Sequence, residues 1–92
     1  MLRNPFTLSI PGTWVLLEEV WNGDIDIYRH LEVPSGVHVS LRHNFIWPPW
    51  AWEVGINGGP GSNGFYVPAG WNKFQVRLDS PARATVVTWI HL

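Results

Sequence analysis

The stretch "VPAGWNKFQVRL", Val67 to Leu78, decides how the rest of the chain is read. It opens with a proline and a glycine around one small residue, then alternates. Phe74, Val76 and Leu78 fall on one side, and Lys73, Gln75 and Arg77 on the other. A period of two predicts a half-buried strand, and the Pro-Ala-Gly before it predicts the turn that feeds the strand. "VPSGVHVSL" (33–41) repeats the pattern, with Val37, Val39 and Leu41 opposed to His38, Ser40 and Arg42, and "IPGTWVLL" (10–17) is a shorter relative.

Outward from these segments, prolines and glycines punctuate the chain every eight to twelve residues, and no window has convincing helical periodicity. Strands are expected near 6–10, 13–20, 24–30, 37–43, 50–56, 65–67, 71–78 and 82–92. About eight short strands without a substantial helix predict an all-β protein, a compact antiparallel β-sandwich of jelly-roll-like or Ig-like type. Asn22-Gly23 reads as a two-residue hairpin turn. If the third and fourth strands pair on their apolar faces, Asp24 lies opposite Arg42 and Tyr28 opposite His38. The last strand, "TVVTWIHL", is apolar on both faces. It is expected either to be central in a sheet and covered on both sides or to dock on a neighbour, with the terminus built in.

The 92 residues are expected to form one domain, 1–92, and cysteine is absent, which excludes disulfides and thiolate metal sites. A chain this short has a marginal core unless association supplements it. Only 14% of residues are charged and the net charge is −1, so there is no dense basic stripe of the kind nucleic-acid binding needs. No membrane segment and no secretory signal are read, so the expected location is the cytoplasm of the producing cell or a particle it makes. Seven tryptophans in so small and sparsely charged a chain leave apolar ring surface that its own interior has little room to hide.

"NFIWPPWAWEVGINGGPGSNGF" (44–65) concentrates this surface. Trp50, Trp52, Val54 and Ile56 share one parity, a stripe deep enough for a sandwich interior, while Glu53 marks the wetter face. Which way the indoles at 50 and 52 point stays open. Trp47, just before Pro48-Pro49, suits an edge or corner. Candidate protein contacts are Trp47, Trp50, Phe65, Tyr66 and Trp71, with Arg42 and Arg77 as polar partners. An alternative is a sugar-stacking platform of Trp47, Trp50 and Trp52 helped by Asn44, Glu53 and Asn57.

Other chemistry finds little footing. The glycine-rich 56–65 loop lacks the lysine and following helix of a phosphate cradle. Ser40 with His38 or His43 has no third group to orient a base, and Asp24, Asp26, Glu53 and Asp79 form no evident acid pair. Glu18 and Glu19 point to opposite faces, one of them suited to guarding an edge strand. His30, His38, His43 and His91 lack paired ligand spacing. No catalysis, metal or cofactor is expected.

At "FYVPAGWNKFQVRLDSPARATVVTWIHL" (65–92) the chain resembles the closing part of small jelly-roll or Ig-like domains. By size, composition and turn motif it resembles the decoration, or cement, proteins of tailed-phage capsids. That resemblance implies a non-enzymatic, self-associating virion protein that clamps capsid subunits, often as a trimer. A carbohydrate-binding module and a small inhibitor of a host enzyme are the alternatives.

Overall fold

The computed structural model describes residues 2–23, 27–45, 50–81 and 83–91. Eight strands account for most of them: β1 (Leu2–Leu8), β2 (Trp14–Asn22), β3 (Ile27–Glu32), β4 (His38–Phe45), β5 (Trp50–Asn57), β6 (Asn63–Val67), β7 (Gly70–Ser80) and β8 (Thr85–His91). They form two four-stranded sheets, ordered β1-β8-β3-β6 and β2-β7-β4-β5.

The pairing has a simple logic. β1 pairs with β8, β2 with β7, β3 with β6 and β4 with β5, all antiparallel. The second half of the chain thus runs back along the first as one long ribbon. The ribbon is wound so that β8 also pairs with β3 and β7 with β4. Eight strands wound in this way are a jelly roll, which resolves the choice between the two sandwich types.

Alternation holds where it was clearest. Phe74, Val76 and Leu78 in β7, and Val39 and Leu41 in β4, are wholly buried, and with Leu31, Val67, Val87 and Trp89 they make the core between the sheets. β8 is central, between β1 and β3, but it is not fully covered on both sides: Val87 and Trp89 are wholly buried, whereas Val86 on the other face is 47% exposed.

Two pairings differ from expectation. Asn22-Gly23 is no hairpin, because β2 and β3 lie in different sheets. Asn22 is buried, and its amide donates to the carbonyl oxygens of Val67 (3.1 Å) and Pro68 (3.4 Å), so it pins another corner instead of making a turn. Gly23 is not among the glycines with positive φ, which a type I′ turn would need. β3 and β4 do not pair either: Tyr28 stands opposite Tyr66, and His38 opposite Asn57 and Ser80. Asp24 lies outside the described residues, and Arg42 faces Glu53 and Gln75.

The proline-glycine segments share one job. Those at 10–12, 33–36 and 67–70 each carry the chain from the first sheet to the second. At the middle one Val37 N–H donates to Pro34 C=O (3.2 Å) and Gly36 has φ +82°, so the proline opens the turn and the glycine takes its left-handed position.

Candidate interaction site

Strand register places the exposed rings. Counting along the paired strands, Trp52, Trp50, Trp71, Trp21, Tyr66 and Tyr28 all fall within a few residues of the end where Val67–Gly70 crosses between sheets. All six are 42–59% exposed. Trp21 and Trp71 are direct cross-strand partners, ring centroids 5.4 Å apart, on the outer face of the second sheet. Tyr28 and Tyr66 are partners on the outer face of the first, edge to face at 6.1 Å.

Between these pairs, at the side where β5 and β6 are the outermost strands, the two sheets leave a cleft of about 470 Å³. Its lining is mainly apolar: Trp50, Trp52, Phe65 and Tyr66, with His43. Trp52 meets Phe65 edge-on at 6.1 Å across the gap, Phe65 stacks on the buried Trp89 at 6.4 Å, and Trp50 stacks on Phe45 at 5.6 Å. The expectation that Trp50, Trp52, Val54 and Ile56 form a core stripe therefore holds only for Ile56 and, in part, Val54. β5 and β6 share no ladder, so rings near that edge have core on one side and solvent on the other.

His43 is buried beside the cleft, stacked on Phe74 at 4.2 Å and edge-on to Trp50 at 4.9 Å. Asn72 donates its amide hydrogens to Pro68 and Gly70 carbonyls, so its Oδ1 is left to accept from His43 Nε2–H at 2.8 Å. Burial pushes the imidazole below its ordinary pKa, and the bond to Asn72 only partly offsets this, so the ring is neutral at pH 7.

Deeper in the sandwich, Arg29 is buried and donates to Glu18 through Nε (2.7 Å) and Nη2 (3.0 Å), while Trp89 Nε1–H donates to the same carboxylate (2.8 Å). Burial alone would raise Glu18. The hydrogen bonds from Arg29 and Trp89, with the Arg29 charge, outweigh it and hold the carboxyl below its ordinary value.

The remaining candidates sit elsewhere. Arg42 and Arg77 stack over Trp14, their Cζ atoms 4.1 and 4.8 Å from the ring centroid, on the outer face of the second sheet and away from the cleft. They are also paired, Arg42 with Glu53 (2.6 Å) and Arg77 with Asp79 (2.9 Å). Asn44 donates to Gln75 (3.2 Å), Glu53 is held by Arg42, and Asn57 bonds His38. The three polar helpers of the sugar platform thus project from the opposite face to Trp50 and Trp52 and are already engaged. Trp47 lies outside the described residues, as do Pro48, Pro49 and Asp26.

The sequence reading missed Trp21, Tyr28 and the placement of His43. Trp21 shares parity with Glu19, and that charge was the available signal for an outward face. Among the described residues no cluster of three potential metal ligands occurs. Set beside family models, curated proteins and solved structures, the chain matches none.

Proposed function

We propose that this protein is a non-enzymatic structural module that binds other protein subunits through the aromatic end of its jelly roll. One observation carries the reading: six half-exposed rings from five strands gather at one end of a small sandwich. Each exposes about half of the ~150–250 Å² such rings carry, so together they present roughly 450–750 Å² of apolar surface. Spread over both outer faces and the cleft between them, that area approaches the ~800 Å² one partner contributes to a stable interface, so a subunit that covers it wraps the end of the sandwich. A sugar site would need hydrogen-bonding groups beside the rings, and the nearest ones in sequence are spent on the other face.

The resemblance to phage decoration proteins nominates a virion surface as the assembly served. Light scattering over a concentration series, together with co-sedimentation on particles from the native source, tests the reading. Trp71→Ser and Trp50→Ser are expected to weaken binding at least tenfold each while leaving the circular dichroism spectrum unchanged. A saturable fluorescence shift with a glycan, abolished by Trp50→Ser, would instead favour a lectin. Capture of a single host enzyme would favour an inhibitor.

A further inference from the structure

The four outermost strands differ in how well they are protected. An unpaired strand edge templates association unless something blocks it, and the usual blocks are proline, lysine, a bulge, an inward charge or shortness. β1 contains Pro5, which has no N–H to offer. β2 has a bulge between Leu16 and Glu18 and turns the Glu18 carboxylate inward onto Arg29. β6 is only five residues long. β5 runs for eight residues, "WAWEVGIN", with no proline, no lysine, no inward charge and an unbroken register against β4. Its one charge, Glu53, faces outward and is neutralised by Arg42.

We infer that β5 is a self-association edge, on which a second copy of this chain pairs antiparallel so that β5 meets β5 about a two-fold axis and the second sheet becomes eight-stranded. This deepens the assembly role proposed above and rests on it. An antiparallel two-fold keeps each face of the sheet continuous, so residues 50, 52, 54 and 56 of one copy can oppose only that same set in the other. Centring the axis on Glu53 would set the carboxylate against itself. Centring it on Trp52 or on Val54 instead places Ala51 or Gly55 opposite Glu53. In either arrangement the Trp50–Tyr66 cleft lies at the joint, and the second copy covers it. Trp50, Trp52 and Tyr66 expose roughly 200–350 Å² per copy. With the strand itself, that brings the joint near the ~600 Å² per partner at the lower end of stable interfaces. The contact is isologous, so it closes as a dimer and does not propagate.

Two sets of variants test this. Ala51 and Gly55 are exposed on the outer face, and a Cβ added at Gly55 meets nothing within 4 Å, so Ala51→Glu with Gly55→Glu is tolerated by the single copy, while in either arrangement one of the new carboxylates opposes Glu53 of the second copy. The wild type is expected to scatter as a dimer at tens of micromolar, and the Ala51→Glu, Gly55→Glu double variant as a monomer with the same circular dichroism spectrum. Because the chain lacks cysteine, an introduced thiol can only cross-link two copies. Opposed antiparallel residues lie about 4.5–5.5 Å apart at Cα, within disulfide reach. Trp52→Cys or Val54→Cys, whichever sits on the axis, is expected to oxidise to a covalent dimer, and Thr7→Cys on β1 is not. A dimer that survives the paired Ala51→Glu and Gly55→Glu changes, or cross-linking no faster at 52 and 54 than at 7, would overturn the inference. A wild type that stays monomeric yet binds particles through Trp71 would also overturn it, while leaving the assembly role intact.

Discussion

At Gly58 a Cβ would sit 1.7 Å from the Pro34 carbonyl oxygen, because the loop after β5 lies directly on the corner between β3 and β4. Gly58 N–H donates to Val37 C=O (2.7 Å) and Gly59 N–H to Val33 C=O (3.1 Å). Gly58→Ala is therefore expected to cost about 2–4 kcal/mol in urea unfolding. Open loop turns would lose far less. The glycines of this loop were legible as turn formers, but not the close approach at 58, which depends on a segment more than twenty residues earlier. The same is true of Glu18. Its charge was visible, and its partners Arg29 and Trp89 come from strands in the other sheet. Removing the carboxylate leaves Arg29 buried and unpaired, so Glu18→Gln is expected to lose roughly 3–5 kcal/mol at neutral pH. Glu18→Leu combined with Arg29→Met should recover much of that.

The signs of the titrations follow from these contacts. Glu18 has a folded pKa below its unfolded value of about 4.3. Its contribution is complete above that value and is lost as pH falls through the lower folded one. His43 is also lowered, so below about pH 6.5 the unfolded chain takes up a proton that the folded chain refuses. Stability is expected to decline from pH 7 toward pH 5, measured as a falling urea midpoint. His43→Gln should flatten that decline and leave the steeper loss below pH 4.5.

At the scale of elements, the bulge in β2 decides more than its one residue suggests. Val15 faces in and Leu16 out, and regular alternation would then bring Leu17, Glu19 and Trp21 inward. Leu17 is the extra residue, buried without a register partner, and beyond it the parity is reversed. Glu18 and Asn22 point inward, and Trp21 comes out beside Trp71. Deleting Leu17 leaves the later register unchanged, so Trp21 should remain accessible to acrylamide quenching while stability falls by about 2–5 kcal/mol for the lost core side chain. A slipped register would bury Trp21 and quench less. Strand existence was readable from alternation in β4 and β7, where core and solvent faces are clean. The bulge was not, because one extra residue reverses parity without leaving a compositional mark. The Asn-Gly pair misled because its turn propensity is local, whereas the choice of neighbouring strand belongs to the whole winding.

At the scale of the molecule, most ion-paired charge lies away from the aromatic end, and the two charges beside the Trp21–Trp71 pair, Glu19 and Lys73, are cross-strand partners of opposite sign. The ion pairs Arg3–Glu32, Arg42–Glu53 and Arg77–Asp79 lie toward the middle or the opposite end of the sandwich from the exposed rings. Association through such an end is apolar in origin. It is expected to change less than twofold between 50 and 500 mM sodium chloride and to tighten in ammonium sulfate, as analytical ultracentrifugation would read. Trp21→Ser with Trp71→Ser should abolish binding to particles while leaving the β5–β5 dimer intact, at a cost to monomer stability of about 0.5–1.5 kcal/mol for the lost ring pair.

The amino-acid sequence by itself determined that this chain is all-β, where most of its strands run, and that it has more ring surface than its interior can accommodate. Those properties follow from period-two alternation and from composition, which are local or additive. Only the tertiary structure decided which rings are uncovered and that they share one end. It also decided that Arg29 and Glu18 meet inside, and that β5 is left as the unprotected edge. Each of these depends on contacts between segments far apart in the chain, and the winding of the ribbon, not any single stretch, brings those segments together.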